Sequence, residues 1–119
     1  MAGMQWARLQ ANLNIRLRRG AWYRIRQVGP LQAVLEVRGQ PLQVPSAFLQ
    51  IVETPPRRWT VVPLPRRASW LAAELGTRYG VCPSCRYRAQ LEQRARDMTC
   101  TRCKGRFEIA WDEAYLADG

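Results

Sequence analysis

Histidine is missing from this chain altogether. That removes the commonest general base and the usual partner of a serine or cysteine nucleophile. Carboxylates are scarce as well, with nine Asp and Glu in 119 residues. Three of them, Asp112, Glu113 and Asp118, fall in the C-terminal WDEAYLADG, a stretch that reads as a solvated tail or short terminal helix rather than an acid/base pair. The eight glycines are dispersed, so no phosphate-cradling loop is present. No enzyme and no small-molecule substrate are therefore expected. Long apolar runs are absent too, with nothing near the roughly 18 residues of a membrane helix, so no membrane partner is expected. The opening MAGMQWARLQANLNIRLRRG has no apolar core of a secretory signal, and the expected compartment is the cytoplasm, where thiols stay reduced.

Lysine is nearly absent: Lys104 stands alone against 18 arginines, and the formal net charge is +10. Arginine suits phosphate forks and stacking on bases, and a G+C-rich genome gives the same bias. Position is more informative. Residues 1–67 hold 11 basic and two acidic side chains, whereas 68–119 hold eight and seven. A chain of this length supports one ordinary domain or two very small ones.

Alternation dominates the first half. Leu13, Ile15 and Leu17 oppose Asn12, Asn14, Arg16 and Arg18, which predicts a half-buried strand from Ala11; the first ten residues fit a strand or a helix. AWYRIRQV predicts a second strand, with Tyr23 and Ile25 opposing Arg24 and Arg26, up to the Gly29-Pro30 turn. LQAVLEVR follows, with Leu31, Ala33, Leu35 and Val37 on one face and Gly39 at its end. PLQV, a break at Pro45-Ser46 able to open one helical turn, and LQIVET complete four or five short strands joined by tight turns, the pattern of an all-β meander or small barrel. Prolines at 55, 56, 63 and 65 leave Trp59 to Val62 as a short edge strand, and Ser69 caps an expected connecting helix through Leu75. The expected organisation is a small basic β-barrel over 1–62, a Pro/Arg linker with a short helix over 63–76, and a cysteine module with an acidic tail over 77–119. No internal repeat is evident.

The chemistry lies in the cysteines. Cys82 and Cys85 in VCPSCRY, with Cys100 and Cys103 in TCTRCKG, form C-x2-C-x14-C-x2-C. Each pair lets one tight turn aim two thiolates at a common centre while backbone N–H groups donate to the sulfurs, so two such turns complete a tetrahedral S4 site. One structural zinc is the expected cofactor. With all four positions filled by thiolate there is no place for a catalytic water. A redox role for the CxxC pairs lacks the surrounding βαβ unit, and iron in the same S4 set is not separated from zinc by spacing alone. Tyr87, Ala89 and Leu91, the polar turn Arg94 to Asp97, and Met98 read as a hairpin that joins the knuckles, with Phe107, Ile109 and Trp111 as a third strand.

From CPSC, CTRC and the Phe107-Glu108-Ile109 strand, residues 77–111 resemble the zinc-ribbon superfamily. The N-terminal half resembles small Src-homology-3 or Tudor barrels through its strand order, GAWYRIR, the VRGQPLQVP hairpin and the PSAFLQIV turn with its closing strand. The expected fold is mostly β: a Src-homology-3-like barrel or meander, then a zinc ribbon. Arg16, Arg18, Arg24 and Arg26, on the polar faces of two adjacent strands, form a candidate basic stripe, with Trp22 as a stacking platform beside it. Between residues 86 and 106, Arg86, Arg88, Arg94, Arg96, Arg102, Lys104 and Arg106 face only Glu92 and Asp97. The resemblance implies that knuckle arginines such as Arg86, Arg88 and Arg102 approach phosphates; it equally implies protein docking. The expected function is a non-enzymatic, zinc-containing nucleic-acid-binding protein, with RNA or a ribonucleoprotein favoured over DNA. The alternative is an adaptor that docks by its ribbon, or by the exposed edge of its barrel, on a larger complex such as the transcription machinery, with Trp59, Trp70 or Trp111 on an exposed apolar patch.

Overall fold

The computed structural model describes residues 4–11, 15–64, 77–113 and 115–116. The chain is mostly β and divides into two compact units, Met1–Pro56 and Arg57–Gly119, each built on one five-stranded sheet.

In the N-terminal unit, β1 (Trp6–Leu9), β2 (Tyr23–Val28), β3 (Gln32–Val37), β4 (Gln40–Pro45) and β5 (Leu49–Val52) form a curled half-barrel in the order β4-β3-β2-β1-β5. The β2–β3–β4 meander is antiparallel throughout. Its second turn is the two-residue Arg38-Gly39 corner, with φ of 51° and 78°. Positive φ at both central residues matches the right-handed twist of the flanking strands. A 3-10 turn, Ser46–Phe48, then returns the chain to β5, which pairs with β1. The core is the inward set Ala7, Leu9, Ala33, Leu35, Val44 and Leu49, all nearly excluded from solvent.

Two expectations for this unit fail. The strand anticipated from Ala11 is not there: β1 lies earlier, at Trp6–Leu9, and Ile15 to Leu17 form a bend, while residues 12–14 lie outside the described residues. Alternation in that bend is real as sequence, but the place between β2 and β5 is filled by Trp6–Leu9. Leu31, expected on one strand face with Ala33, Leu35 and Val37, sits in the β2–β3 turn and is 80% exposed.

The C-terminal unit contains β6 (Arg58–Pro63), β7 (Arg78–Val81), β8 (Arg88–Gln90), β9 (Asp97–Thr99) and β10 (Arg106–Ile109), ordered β8-β7-β6-β10-β9. Here the boundary moves. Trp59 to Val62, expected as an edge strand closing a module at residue 62, are the middle of the second sheet: β6 runs antiparallel to β7 and parallel to β10. Proline does not prevent this, because Pro63 is the last residue of the strand and lies beyond the part that pairs with β10, Arg58 and Trp59. Leu64 N–H still bonds Thr77 C=O at 2.9 Å, continuing the β6–β7 ladder. The expected connecting helix falls at 69–75, outside the described residues. Among the described residues no helix is long and apolar enough to cross a membrane.

Candidate metal centre

Each CxxC pair sits in the turn of its own hairpin, β7–β8 for Cys82 and Cys85, β9–β10 for Cys100 and Cys103. This differs from the expected hairpin between the knuckles: β8 and β9 are the two outer strands of the sheet and do not pair. The two turns share one hydrogen-bond pattern. Cys82 N–H donates to Tyr87 C=O at 2.9 Å, and Arg86 N–H donates to Cys82 C=O at 3.1 Å; in the second turn Cys100 N–H donates to Gly105 C=O at 2.8 Å, and Lys104 N–H to Cys100 C=O at 2.9 Å. Tight closure of this kind forces the residue after the second cysteine into the left-handed region, φ 66° at Arg86 and 68° at Lys104.

The result brings all four Sγ atoms within 4.8 Å of one another. Cys82 and Cys103 are 3.7 Å apart, and Cys85 and Cys100 are 3.6 Å apart. A tetrahedral metal with Zn–S bonds of about 2.3 Å would separate its sulfurs by roughly 3.8 Å. The four cysteines are therefore positioned to bind one metal ion, and the set is compatible with structural zinc.

Electrostatics of the four thiols differ. Burial pushes the Cys82 thiol up to about 12, against the opposing pull of backbone N–H groups of Cys85 and Ser84. Burial likewise raises Cys85, while the N–H of Tyr87 opposes it. Cys103, exposed, is brought down to about 7 chiefly by the N–H of Gly105. Donors aimed at sulfur favour thiolate and burial opposes it; a bound divalent cation would tip the balance toward thiolate by supplying positive charge.

The knuckles rest on β6. Trp59 is fully buried and its indole N–H donates to Met98 C=O on β9 at 2.9 Å. It packs with Val61, Cys82, Leu91, Met98, Cys100 and Ile109. Gly80 is required where β7 crosses this ring, since a Cβ there would lie 3.1 Å from Trp59 Cε3 and 2.7 Å from Leu91 Cδ2. Gly105 answers to the second knuckle: a Cβ would come within 2.6 Å of the Phe107 ring. The acidic segment after β10 is tied down as well, because Arg58 pairs with Asp112 and lies 3.7 Å from Glu108. Tyr115 is buried, so this segment is not wholly a solvated tail.

The residues singled out for phosphate binding separate. Arg24 and Arg26 are exposed on β2, but a register shift between Ile25 and Gln27 interrupts their strand, and Arg26 is engaged by Glu36 at 2.9 Å. Arg16 and Arg18 lie on no strand, which dissolves the continuous stripe. Trp22 is 9% exposed, with the Arg8 guanidinium 4.5 Å from its ring centroid; Arg8, itself 3% exposed, donates to Gln50 Oε1. The indole thus belongs to the N-terminal core instead of forming an open stacking platform. By contrast Arg86, Arg88 and Arg102 all occur within the knuckles or immediately beyond them.

Superposing the two knuckles in register exposes an internal repeat. Val81 pairs with Arg88, and Gly80 with Ala89, as Thr99 pairs with Arg106, and Met98 with Phe107. The equivalent segments are C-P-S-C-R-Y-R and C-T-R-C-K-G-R. Both read C-x-x-C-[basic]-x-Arg, a repeat that extends three residues beyond the cysteines. It adds Lys104 and Arg106 to the knuckle cations. No protein-family model, no curated protein and no solved structure matches the chain.

Proposed function

We propose that this chain is a non-enzymatic nucleic-acid-binding protein, with RNA the favoured ligand, whose C-terminal unit is a zinc ribbon held by Cys82, Cys85, Cys100 and Cys103. Zinc supplies folding energy here, since four thiolates leave no open position for chemistry. The observation that carries the proposal is the charge of the knuckles: residues 82–88 and 100–106 contain Arg86, Arg88, Arg102, Lys104 and Arg106 and no carboxylate. Against the two negative charges of a zinc tetrathiolate this leaves a cationic surface, the electrostatic requirement for binding a phosphate backbone. Exposed Arg16 and Arg24 of the N-terminal unit are further candidate contacts.

Tryptophan exposure weighs against the adaptor. Trp59 is buried, and Trp111 is half-buried with its indole N–H on Ala95 C=O and Arg78 5.3 Å above its ring; Trp70 lies outside the described residues. One observation favours that second reading. Val28 and Leu31 are exposed beside the β2–β3 turn, which Ser46 fastens to the 3-10 turn carrying exposed Phe48.

Fluorescence anisotropy of the zinc-loaded protein with labelled single-stranded RNA and duplex DNA tests the proposal. Affinity falling steeply between about 50 and 200 mM salt is expected. Absent or salt-independent binding to both would refute it.

A further inference from the structure

Among the described residues five non-glycine positions have positive φ: Arg38, Arg86, Arg94, Lys104 and Leu116. Four of the five are basic. Left-handed backbone crowds the Cβ against the following carbonyl, and glycine, asparagine and aspartate are the residues that ordinarily take it. Arg and Lys make up 19 of 119 residues, so composition alone would put about one of them among five such positions. An arginine-rich codon bias does not account for the excess, because it does not select backbone conformation and because one of the four is the chain's single lysine.

Two of these cations occupy equivalent places. Arg86 and Lys104 each follow the second cysteine of a knuckle directly, and the sulfurs of those cysteines belong to one cluster. Glycine would close the same turn without strain. Each is followed two residues later by an arginine at the start of a strand, Arg88 on β8 and Arg106 on β10. Arg106 is held by Asp97 and bonds Thr99 Oγ1 at 3.3 Å. Lys104 spends one of its three donors on Thr101 C=O within its own knuckle, at 2.8 Å. Closure of the turn sets the backbone, but a cation kept at both equivalent points, where glycine would be unstrained, points to a role for the side chain.

We propose that Arg86 and Lys104 form a two-point clamp for the phosphodiester backbone of nucleic acid, one contact from each knuckle, with the metal fixing their separation. This rests on the nucleic-acid reading above and assigns the main contact to the knuckles in preference to the β2 face. Contacts of this type position the strand without reading its sequence.

The competing role for the two cations is to neutralise the thiolate centre. The double variant Arg86→Gly/Lys104→Gly separates the roles, since glycine suits both backbone positions and keeps the turns. Zinc-loaded full-length protein is titrated with a labelled single-stranded RNA and a duplex DNA over a salt series, with polyglutamate as an acidic-protein mimic. Zinc affinity is measured separately by chelator competition. The clamp requires at least a tenfold loss of affinity for nucleic acid in the double variant and a salt slope shallower by about 1.4 on single strands, with zinc affinity unchanged. An Arg16→Ala/Arg24→Ala variant should lose less than the knuckle variant. Unchanged nucleic-acid binding beside weakened zinc binding would overturn the clamp in favour of charge compensation. Polyglutamate competing as well as RNA would overturn it in favour of an acidic protein partner. If the wild-type protein binds neither nucleic acid, the nucleic-acid reading itself fails; if it binds and the knuckle variant binds equally, only the clamp fails.

Discussion

Replacing Trp59 by phenylalanine tests which unit owns the strand that carries it. In the structure the indole is fully buried on β6 and donates to Met98 C=O on β9. Phenylalanine removes the donor and leaves a buried carbonyl without its partner, at a cost of about 1–3 kcal/mol. It also leaves a cavity of roughly 40 Å3, which at about 24 cal/mol per Å3 adds close to 1 kcal/mol. The loss is therefore about 2–4 kcal/mol. On the proposed reading that zinc drives the folding of this unit, binding energy is folding energy, and the same loss should appear as zinc affinity lower by roughly 30- to 700-fold. Competition with a chromophoric chelator measures it directly, without a tryptophan signal to disentangle. Zinc affinity within threefold of wild type would refute the assignment of β6 to the metal-binding sheet and return Trp59 to the N-terminal barrel.

Three other outcomes follow from the same architecture. Chelation should unfold residues 57–119 while the sheet of the N-terminal unit keeps its amide dispersion in NMR spectra, because each unit has its own core; loss of both sets of signals together would contradict this. Gly80→Ala and Gly105→Ala should each destabilise the zinc-loaded C-terminal unit by about 1–3 kcal/mol in thermal melts, the first through Trp59 and Leu91, the second through Phe107; unchanged melting would show that these side chains yield freely. Arg58 hydrogen-bonds Asp112 and holds its carboxyl below the usual range. A depressed carboxyl contributes stability above its unfolded value, near pH 4, and loses it as pH falls through the folded value. Arg58→Ala should accordingly be less stable than wild type at neutral pH, with the gap narrowing in acid; a gap that widens on acidification would exclude this pairing as the cause.

How far sequence reasoning reached depends on the range of the interactions involved. The β2–β3–β4 meander was legible because alternation, Gly29-Pro30 and Gly39 are local signals acting on neighbouring strands. Alternation around Ile15 and Leu17 misled for the complementary reason: a period-two pattern becomes a strand only where long-range pairing receives it, and the place between β2 and β5 went to Trp6–Leu9. Trp22 also alternates with Arg24 and Arg26, but its burial depends on Arg8, fourteen positions earlier, lying across its ring. Charge patterning predicted a basic surface and could not say which arginines were already engaged by Glu36, Asp97 or Asp112.

The cysteine spacing by itself pointed to the candidate metal site, because the geometry of each two-thiol turn is set within its own C-x-x-C. The sequence likewise determined a mostly β chain with short strands and tight turns. Only the tertiary structure decided what the site is built upon. Parallel pairing of β6 with β10 joins residues some fifty positions apart, and no local pattern encodes a contact of that length. It carried Trp59 out of the expected barrel and into the floor of the metal centre. It also brought the two hairpins, whose equivalent registers are local to each, into one sheet, so that the knuckles carrying Arg86 and Lys104 share one cluster of sulfurs.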